Sequence, residues 1–365
     1  MIALCTKEDL LDGVGKVQKA VSARNTLPVL QGIKISAGGG ELLFEATDLE
    51  LGIRCRVPVN VQEEGVMVLP AALLTELTRR LPEGAVRLEQ IENTLHIFYG
   101  EANFQINGFD ADEFPEFGNM DLEKNFTLDG LQLKQMIRQT IYARAITEDS
   151  RAVFSGVLME KKGGEIRMVC TDTHRLTYVF LPLGEGGSDF RGIIPGKTTV
   201  EIQRLLDDDP VNVSFDQAKM IFKFKNLDIM TRLIVGQYPN YESVIPKTCH
   251  MKARINTRQL ASVVERAALL SRDNSMKMAF VRFKIEGDVL TIDQNNESGS
   301  IYEKIEIEQE GDDLQLSFNA RYLLDMVKVI DTEHLIMETG GSANASVFRP
   351  DGAENYISLV LPMRL

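Results

Sequence analysis

The sequence is poor in the residues that build reactive centres. It holds four cysteines and four histidines in 365 residues. Cys5, Cys55, Cys170 and Cys249 lie far apart, with no C-x-x-C pair and no histidine at metal-site spacing. Neither a disulfide framework nor a zinc site is expected from such a pattern. His250 follows Cys249 directly, but neighbouring side chains in an extended chain point apart. Reduced, structural thiols fit a cytoplasmic protein. Nowhere do eighteen apolar residues run together, which argues against a membrane-spanning helix. Lys7, Glu8 and Asp9 stand where a secretory signal would carry its apolar core. Bases are scarce relative to acids: 40 Lys and Arg face 53 Asp and Glu, giving a net charge of −13. As a total, that disfavours a nucleic-acid partner, whose affinity comes from cations meeting phosphates. Where the charges sit is a separate question.

What is present is ordinary globular composition, 44% apolar and 25% charged, in a chain long enough for two or three domains. It is also repetitive. Ile2 to Val21, Asn125 to Arg144 and Ala253 to Ser271 each read as a short strand followed by an amphipathic helix. In the first helix Leu10, Val14, Val17 and Val21 share a face, and in the third Leu260, Val263, Val264 and Ala267 do so. Thr6 with Asp9, and Asn256 with Gln259, have capping-box spacing. The strand ending at Thr47-Asp48 matches the one ending at Thr171-Asp172, 124 residues on. A second helix opens after Pro70, Pro195 and Asn319. Phe114-Pro115, Tyr238-Pro239 and Leu361-Pro362 provide a further landmark at similar intervals. Gly38-Gly39-Gly40, Gly163-Gly164 and Glu286-Gly287-Asp288 mark turns between strands. The expected fold is α+β, with three repeated domains (1–119, 120–247 and 248–365), each of two βαβββ-like halves. Linkers are expected near Gly118 to Lys124 and Pro246 to Met251.

The charge is unevenly spread. Windows around the six expected helices each carry between +1 and +3, together +10, inside a chain of net charge −13. A basic helical surface facing a polyanion, with acids elsewhere, is the reading that fits.

Two clusters invite a catalytic reading. Arg191 to Thr198 approaches the phosphate-binding pattern G-x-x-x-x-G-K-[ST], so a nucleotide hydrolase using Gly196, Lys197 and Thr198 is the alternative function. Arg191 stands where the pattern needs glycine, however, and the corresponding turns at Leu69 and Phe318 lack the Gly-Lys pair. Asp172 with His174 has acid–base spacing, yet Asp48 repeats the aspartate without the histidine, which makes Asp172 structural. Asp207-Asp208-Asp209 and Asp312-Asp313 read as solvated turns rather than metal sites. No catalytic residue, metal or cofactor is expected.

The three repeats resemble the bacterial sliding clamp family, the β subunit of DNA polymerase III. Arg24-Asn-Thr-Leu-Pro28, Thr171-Asp-Thr-His-Arg-Leu176, Tyr238-Pro-Asn-Tyr241 and Leu361-Pro-Met-Arg-Leu365 carry the resemblance, which spans the whole chain. Thr173 stands where the family usually has glycine. The resemblance implies a non-enzymatic processivity factor with the DNA clamp fold. Its head-to-tail homodimer would form a ring around duplex DNA, with helices lining the hole. Packing arithmetic agrees. Twelve helices spaced ~9–10 Å apart form a circle about 36 Å across between axes. Subtracting one ~10 Å helix diameter leaves a hole of roughly 26 Å, wide enough for a duplex.

The resemblance further implies a sequence-independent DNA surface of Arg24, Arg138, Arg144, Arg151, Lys197, Arg204, Asn319 and Tyr322. It assigns Phe104 and Ile106 to one side of the dimer interface, and Leu269 and Leu270 to the other. It also implies a cleft between copies two and three for short peptides of polymerases, the clamp loader and repair proteins. Phe154, Thr171, Thr173, His174, Arg175 and Leu176 are the copy-two positions. Pro239, Tyr241 and Val244 are further positions near the end of copy two, and Ser346, Val360, Leu361, Pro362 and Met363 belong to copy three. Leu359 to Met363 would then serve as both core strand and cleft wall.

Overall fold

The computed structural model describes residues 1–22, 27–118, 120, 122–146, 151–184, 189–246, 248–270, 280–296 and 299–363. Arg24, Arg364 and Leu365 lie outside the described residues.

Copy one runs β1 (Ile2–Thr6), α1 (Lys7–Val17), β2 (Gly32–Gly38), β3 (Glu41–Thr47), β4 (Leu51–Pro58), β5 (Asn60–Glu63), β6 (Gly65–Pro70), α2 (Ala71–Arg80), β7 (Ala85–Ile91), β8 (Thr94–Tyr99) and β9 (Ala102–Asn107). Copy two runs β10 (Lys124–Leu128), α3 (Gly130–Thr140), β11 (Gly156–Lys162), β12 (Glu165–Thr171), β13 (Arg175–Pro182), β14 (Phe190–Pro195), α4 (Gly196–Leu205), β15 (Val211–Phe215), β16 (Lys219–Phe224) and β17 (Leu227–Arg232). Copy three runs β18 (Met251–Asn256), α5 (Thr257–Leu269), β19 (Phe280–Glu286), β20 (Val289–Asn296), β21 (Gly299–Gly311), β22 (Leu314–Asn319), α6 (Ala320–Val327), β23 (His334–Thr339), β24 (Ser346–Pro350) and β25 (Tyr356–Val360).

The helix starts follow from side-chain chemistry. Thr6 Oγ1 accepts from Asp9 N at 3.2 Å, and the Asp9 carboxylate accepts from Thr6 N at 2.8 Å, a complete capping box. Asn256 Oδ1 accepts from Gln259 N at 3.0 Å, and Asn319 Oδ1 from Arg321 N at 2.9 Å. Leu10, Val14 and Val17 of α1, and Leu260, Val263, Val264 and Ala267 of α5, are buried as their spacing requires. Val21 lies beyond the end of α1 and is half-buried.

Copies one and three repeat one strand order. Copy three reads β25-β24-β23-β18-β21-β20-β19-β22. Copy one has β9-β8-β7-β1-β5 in one sheet and β4-β3-β2-β6 in another, with β4 and β5 together matching the long β21. Copy two divides similarly, into β10-β15-β16-β17 and β14-β11-β12-β13.

Two compact units result, and each is built across a repeat boundary. One comprises residues 1–133 with 204–233, the other residues 134–203 with 234–365. In the first, β17 pairs antiparallel with β4, setting Thr231 opposite Leu51. In the second, β25 pairs antiparallel with β13, setting Val360 opposite Arg175. The same junction is therefore made twice: the last strand of one copy joins the β4-type strand of the copy before it. The segments that follow β9 and β17 pack within these units. Phe114, Phe117 and Met120 share a cluster with Val29, Leu30, Val68 and Ile221. Tyr238 and Tyr241 share one with Leu158, Leu176 and Leu359.

One expected landmark shifts. After its last strand, each copy docks by a backbone N–H on the same strand position: Phe109 on Val68, Ile234 on Ile193, and Met363 on Ser317. Phe114-Pro115 and Tyr238-Pro239 lie after that bond, but Leu361-Pro362 lies before it. The third pair is not the structural counterpart of the other two, and its similar interval is coincidental.

Cys5, Cys55 and Cys170 are buried, and burial pushes each thiol up to about 12. Cys249 is exposed. A thiol reagent at neutral pH should therefore label one cysteine per native chain quickly and all four after denaturation. Rapid labelling of two or more in the native protein would contradict this burial.

Candidate functional site

The Asp172 turn is a repeated device with one altered position. Asp172 Oδ1 accepts from the backbone N–H groups of His174 and Arg175, each at 3.0 Å. Asp48 Oδ1 accepts likewise from Glu50 at 3.1 Å and Leu51 at 2.7 Å. Thr171 Oγ1 donates to Arg175 O as Thr47 Oγ1 does to Leu51 O. The residue after each aspartate is left-handed, with φ 78° at Thr173 and 76° at Leu49. The aspartate therefore shapes the turn, as expected. A β-branched residue is strained at that φ, which glycine adopts freely. Thr173→Gly is expected to raise stability by about 1 kcal/mol, the relieved strain less glycine's extra chain entropy. A lower denaturant midpoint for the glycine variant would contradict this.

Where copy one has Leu51, copy two has Arg175, and this difference builds the site. The Arg175 guanidinium is buried and forms ion pairs with Asp172 at 2.9 Å and Asp325 of α6 at 2.7 Å. Its carbon lies 4.4 Å from the Tyr322 ring centroid and 5.5 Å from that of Tyr142. The two carboxylates raise the Arg175 pKa further against the opposing effect of burial. Tyr142 is itself fixed by hydrogen bonds of 2.9 Å with Tyr356 and Ser358. Arg175 thus clamps α6 to the copy-two turn. Beside it His174 stacks on Tyr322, with ring centroids 6.4 Å apart.

A pocket of about 550 Å³ opens over this clamp. Phe154, His174 and Tyr322 supply aromatic walls, and Arg144, Arg151 and Arg321 also line it. The adjoining tail is held by its backbone. Leu361 N donates to His174 O at 2.9 Å, and Met363 N to Ser317 O at 2.7 Å.

The turn suspected of nucleotide binding is something else. Arg191 to Pro195 belong to β14, paired with β11 so that Arg191 faces Glu160. A paired strand cannot cradle phosphates. Gly196 is present because a Cβ there would lie 2.5 Å from Ser155 O. The turn is a strand-to-helix junction, and the hydrolase alternative falls with it.

Three family models of the DNA polymerase III beta subunit match this chain. The N-terminal domain matches residues 1–120, the central domain 127–240 and the C-terminal domain 242–364. This chain belongs to the beta sliding clamp family. The beta sliding clamp of Bacillus subtilis strain 168 is 31% identical, covering 98% of each chain. A crystal structure of the Bacillus subtilis DNA polymerase sliding clamp superposes with a TM-score of 0.95 at 30% identity, covering 100% of this chain and 99% of that one. A sliding clamp from Pseudomonas aeruginosa, solved bound to griselimycin, gives 0.94 at 28% identity over 100% of both chains.

Against that sliding-clamp framework the expected site residues separate into surface and support. Thr173, His174, Pro239, Val244 and Leu361 are exposed, and Phe154, Pro362 and Met363 half-buried. Thr171, Arg175, Leu176, Tyr241, Ser346 and Val360 are buried. They present little surface to any ligand. Leu359 and Val360 are both buried, so of the expected Leu359 to Met363 wall these two belong to the core. The strand is covered on both faces, and exposure begins at Leu361.

The expected DNA surface is similarly mixed. Arg138 is committed within the chain, reaching the two Asp331 oxygens at 2.7 and 2.9 Å and Lys328 O at 3.1 Å. Its guanidinium holds the Asp331 carboxyl below the usual range. Arg151, Lys197 and Arg204 are exposed, Arg144 and Tyr322 are half-buried, and Asn319 caps α6. Of the expected interface residues, Leu269 is 54% exposed, Phe104 and Leu270 are half-buried, and Ile106 is 1% exposed, within its own sheet.

Sequence reasoning missed Asp325, Tyr142 and Arg321. Asp325 and Tyr142 act through a partner distant in sequence, leaving no local pattern to find. Arg321 carried a signal, since a cation in the first turn of a helix opposes the helix dipole.

Proposed function

We propose that two copies of this chain join head to tail into a ring around duplex DNA and tether polymerases and repair factors through the cleft, without catalysis. The twice-made strand junction carries this reading. β17 joins β4 and β25 joins β13, which leaves β9 at the end of its sheet and Gly299 to Glu306 of β21 paired only with β20 among the described residues. A third junction of the same kind would join β9 of one copy to β21 of another. Repeating one heterologous contact around a ring closes the assembly and removes both free edges.

The register follows from the repeat. Leu51, Arg175 and Gly299 each open the β4-type strand. Thr231 and Val360, their partners in the two junctions, lie three residues before the docking N–H groups of Ile234 and Met363. Ile106 lies three before Phe109. Ile106 should therefore face Gly299 of the other copy, and Gln105 should face Ser300. Exposed Leu269 and Tyr302 supply apolar cover beside that seam.

Within the ring, the helices' excess positive charge would hold DNA loosely through phosphates, which permits sliding. The match to beta sliding clamps supports a non-catalytic role in the cytoplasm. Sedimentation at micromolar concentration should give a mass near twice the 40.8 kDa chain. A single-chain mass at that concentration would overturn the ring.

A further inference from the structure

We propose that the pocket beside the Arg175 clamp is an acid-reading subsite, in which Arg144, Arg151 and Arg321 bind a glutamate or aspartate side chain of a partner peptide. This rests on the peptide-cleft reading and adds to it a determinant of which peptides bind.

The argument begins with charge accounting. Elsewhere in this acidic chain, arginines commonly face carboxylates: Arg54 with Glu45, Arg56 with Asp228, Arg138 with Asp331, Arg167 with Glu165 and Glu242, Arg254 with Asp351 and Arg282 with Asp293. Arg144, Arg151 and Arg321 have no carboxylate partner among the described residues, yet all three converge on one pocket. The pocket's own acid, Asp172, is already consumed by Arg175 and two backbone N–H groups. Three arginines without a carboxylate partner among the described residues, lining one partly apolar pocket, suit a carboxylate, which a guanidinium can bind in bidentate fashion.

Arg321 makes the case specific. It is exposed in the first turn of α6, whose first turn carries no acid. The helix dipole disfavours a cation there, so Arg321 does not serve the helix. The pocket's shape favours a peptide over duplex DNA. Duplex phosphates lie on a stiff convex cylinder, whereas a side chain can enter a recess walled by Phe154, His174 and Tyr322. Those walls would pack an apolar residue next to the acid.

The test uses the full-length chain and an array of synthetic peptides. Each peptide has a Leu and Phe core with a single Glu or Gln at one flanking position. At one flank, the Glu peptide should bind about tenfold tighter than its Gln twin, a gain that falls with added salt. In Arg321→Gln, which should fold at least as well because the unfavourable dipole contact is removed, the gain should vanish while the Gln peptide binds as before. Equal binding of Glu and Gln peptides to the parent chain, or an unchanged gain in Arg321→Gln, overturns the subsite. It is also overturned if Arg321→Gln weakens a single-stranded oligonucleotide and leaves all peptides unaffected. Failure of every peptide to bind the parent chain would instead sink the cleft itself.

Discussion

Replacing Arg175 with alanine is expected to cost about 3 kcal/mol of stability and to abolish peptide binding at the cleft. The cost arises because the change strands what remains. Asp172 and Asp325 both point at the guanidinium, from 2.9 and 2.7 Å. Removing one member of a buried ion pair costs ~3–5 kcal/mol, because the partner stays buried without compensation. The lower end applies here, since the Asp325 side chain keeps 35% of its exposure and can recover water. Tyr322 would lose its cation–π contact and α6 its tie to the Thr171 to Arg175 turn, so the walls of the pocket would separate. Asp325→Asn removes charge but keeps an acceptor, and should cost less than half as much. Urea unfolding followed with peptide titration separates the two effects. An alanine variant with unchanged midpoint and unchanged peptide affinity would contradict the clamp.

Leu269→Asp should convert the two-chain species into single chains, weakening self-association at least a hundredfold, about 3 kcal/mol. Leu269 is 54% exposed at the end of α5, so within one chain an aspartate there meets water at little cost. Only a partner covering it makes the charge expensive to bury. The converse experiment uses the inferred register. Cysteines at Gln105 and Ser300 should oxidise to a covalent two-chain product, whereas each single variant should not. The double variant is best built with Cys249 replaced, because that thiol is exposed. Self-association that survives Leu269→Asp, together with no cross-link from the cysteine pair, would place the interface elsewhere.

The sequence made the repeat legible because its cues are local. Capping boxes, helix stripes and the Thr-Asp turn are each written in a few consecutive residues: the Thr6–Asp9 box is complete, Asn256 caps α5 through Gln259 N, and of the first stripe Val21 alone falls beyond its helix. The left-handed φ at Leu49 and Thr173 was not legible, since neither residue is glycine. The division of copy two between units was not legible either. A strand's sequence shows which faces are buried but not which distant strand supplies its hydrogen bonds, so the β17–β4 and β25–β13 junctions emerged only from the structure. Arg175 and Val360 illustrate the limit at the site. The family resemblance sets both in the cleft, yet a paired guanidinium and a covered strand end are buried. Arg138 misleads in the opposite way, because its neutralising Asp331 lies 193 residues along the chain.

The central claim is that the protein holds DNA by encircling it. It is tested by placing the chain on closed circular DNA with a clamp loader, removing free protein by gel filtration, and cutting the circle once. A topological link predicts that protein stays with the intact circle, even in salt that screens phosphate contacts, and is lost through the ends once the DNA is linear. Equal retention on intact and cut DNA would show that contacts alone hold the protein, and would contradict the ring.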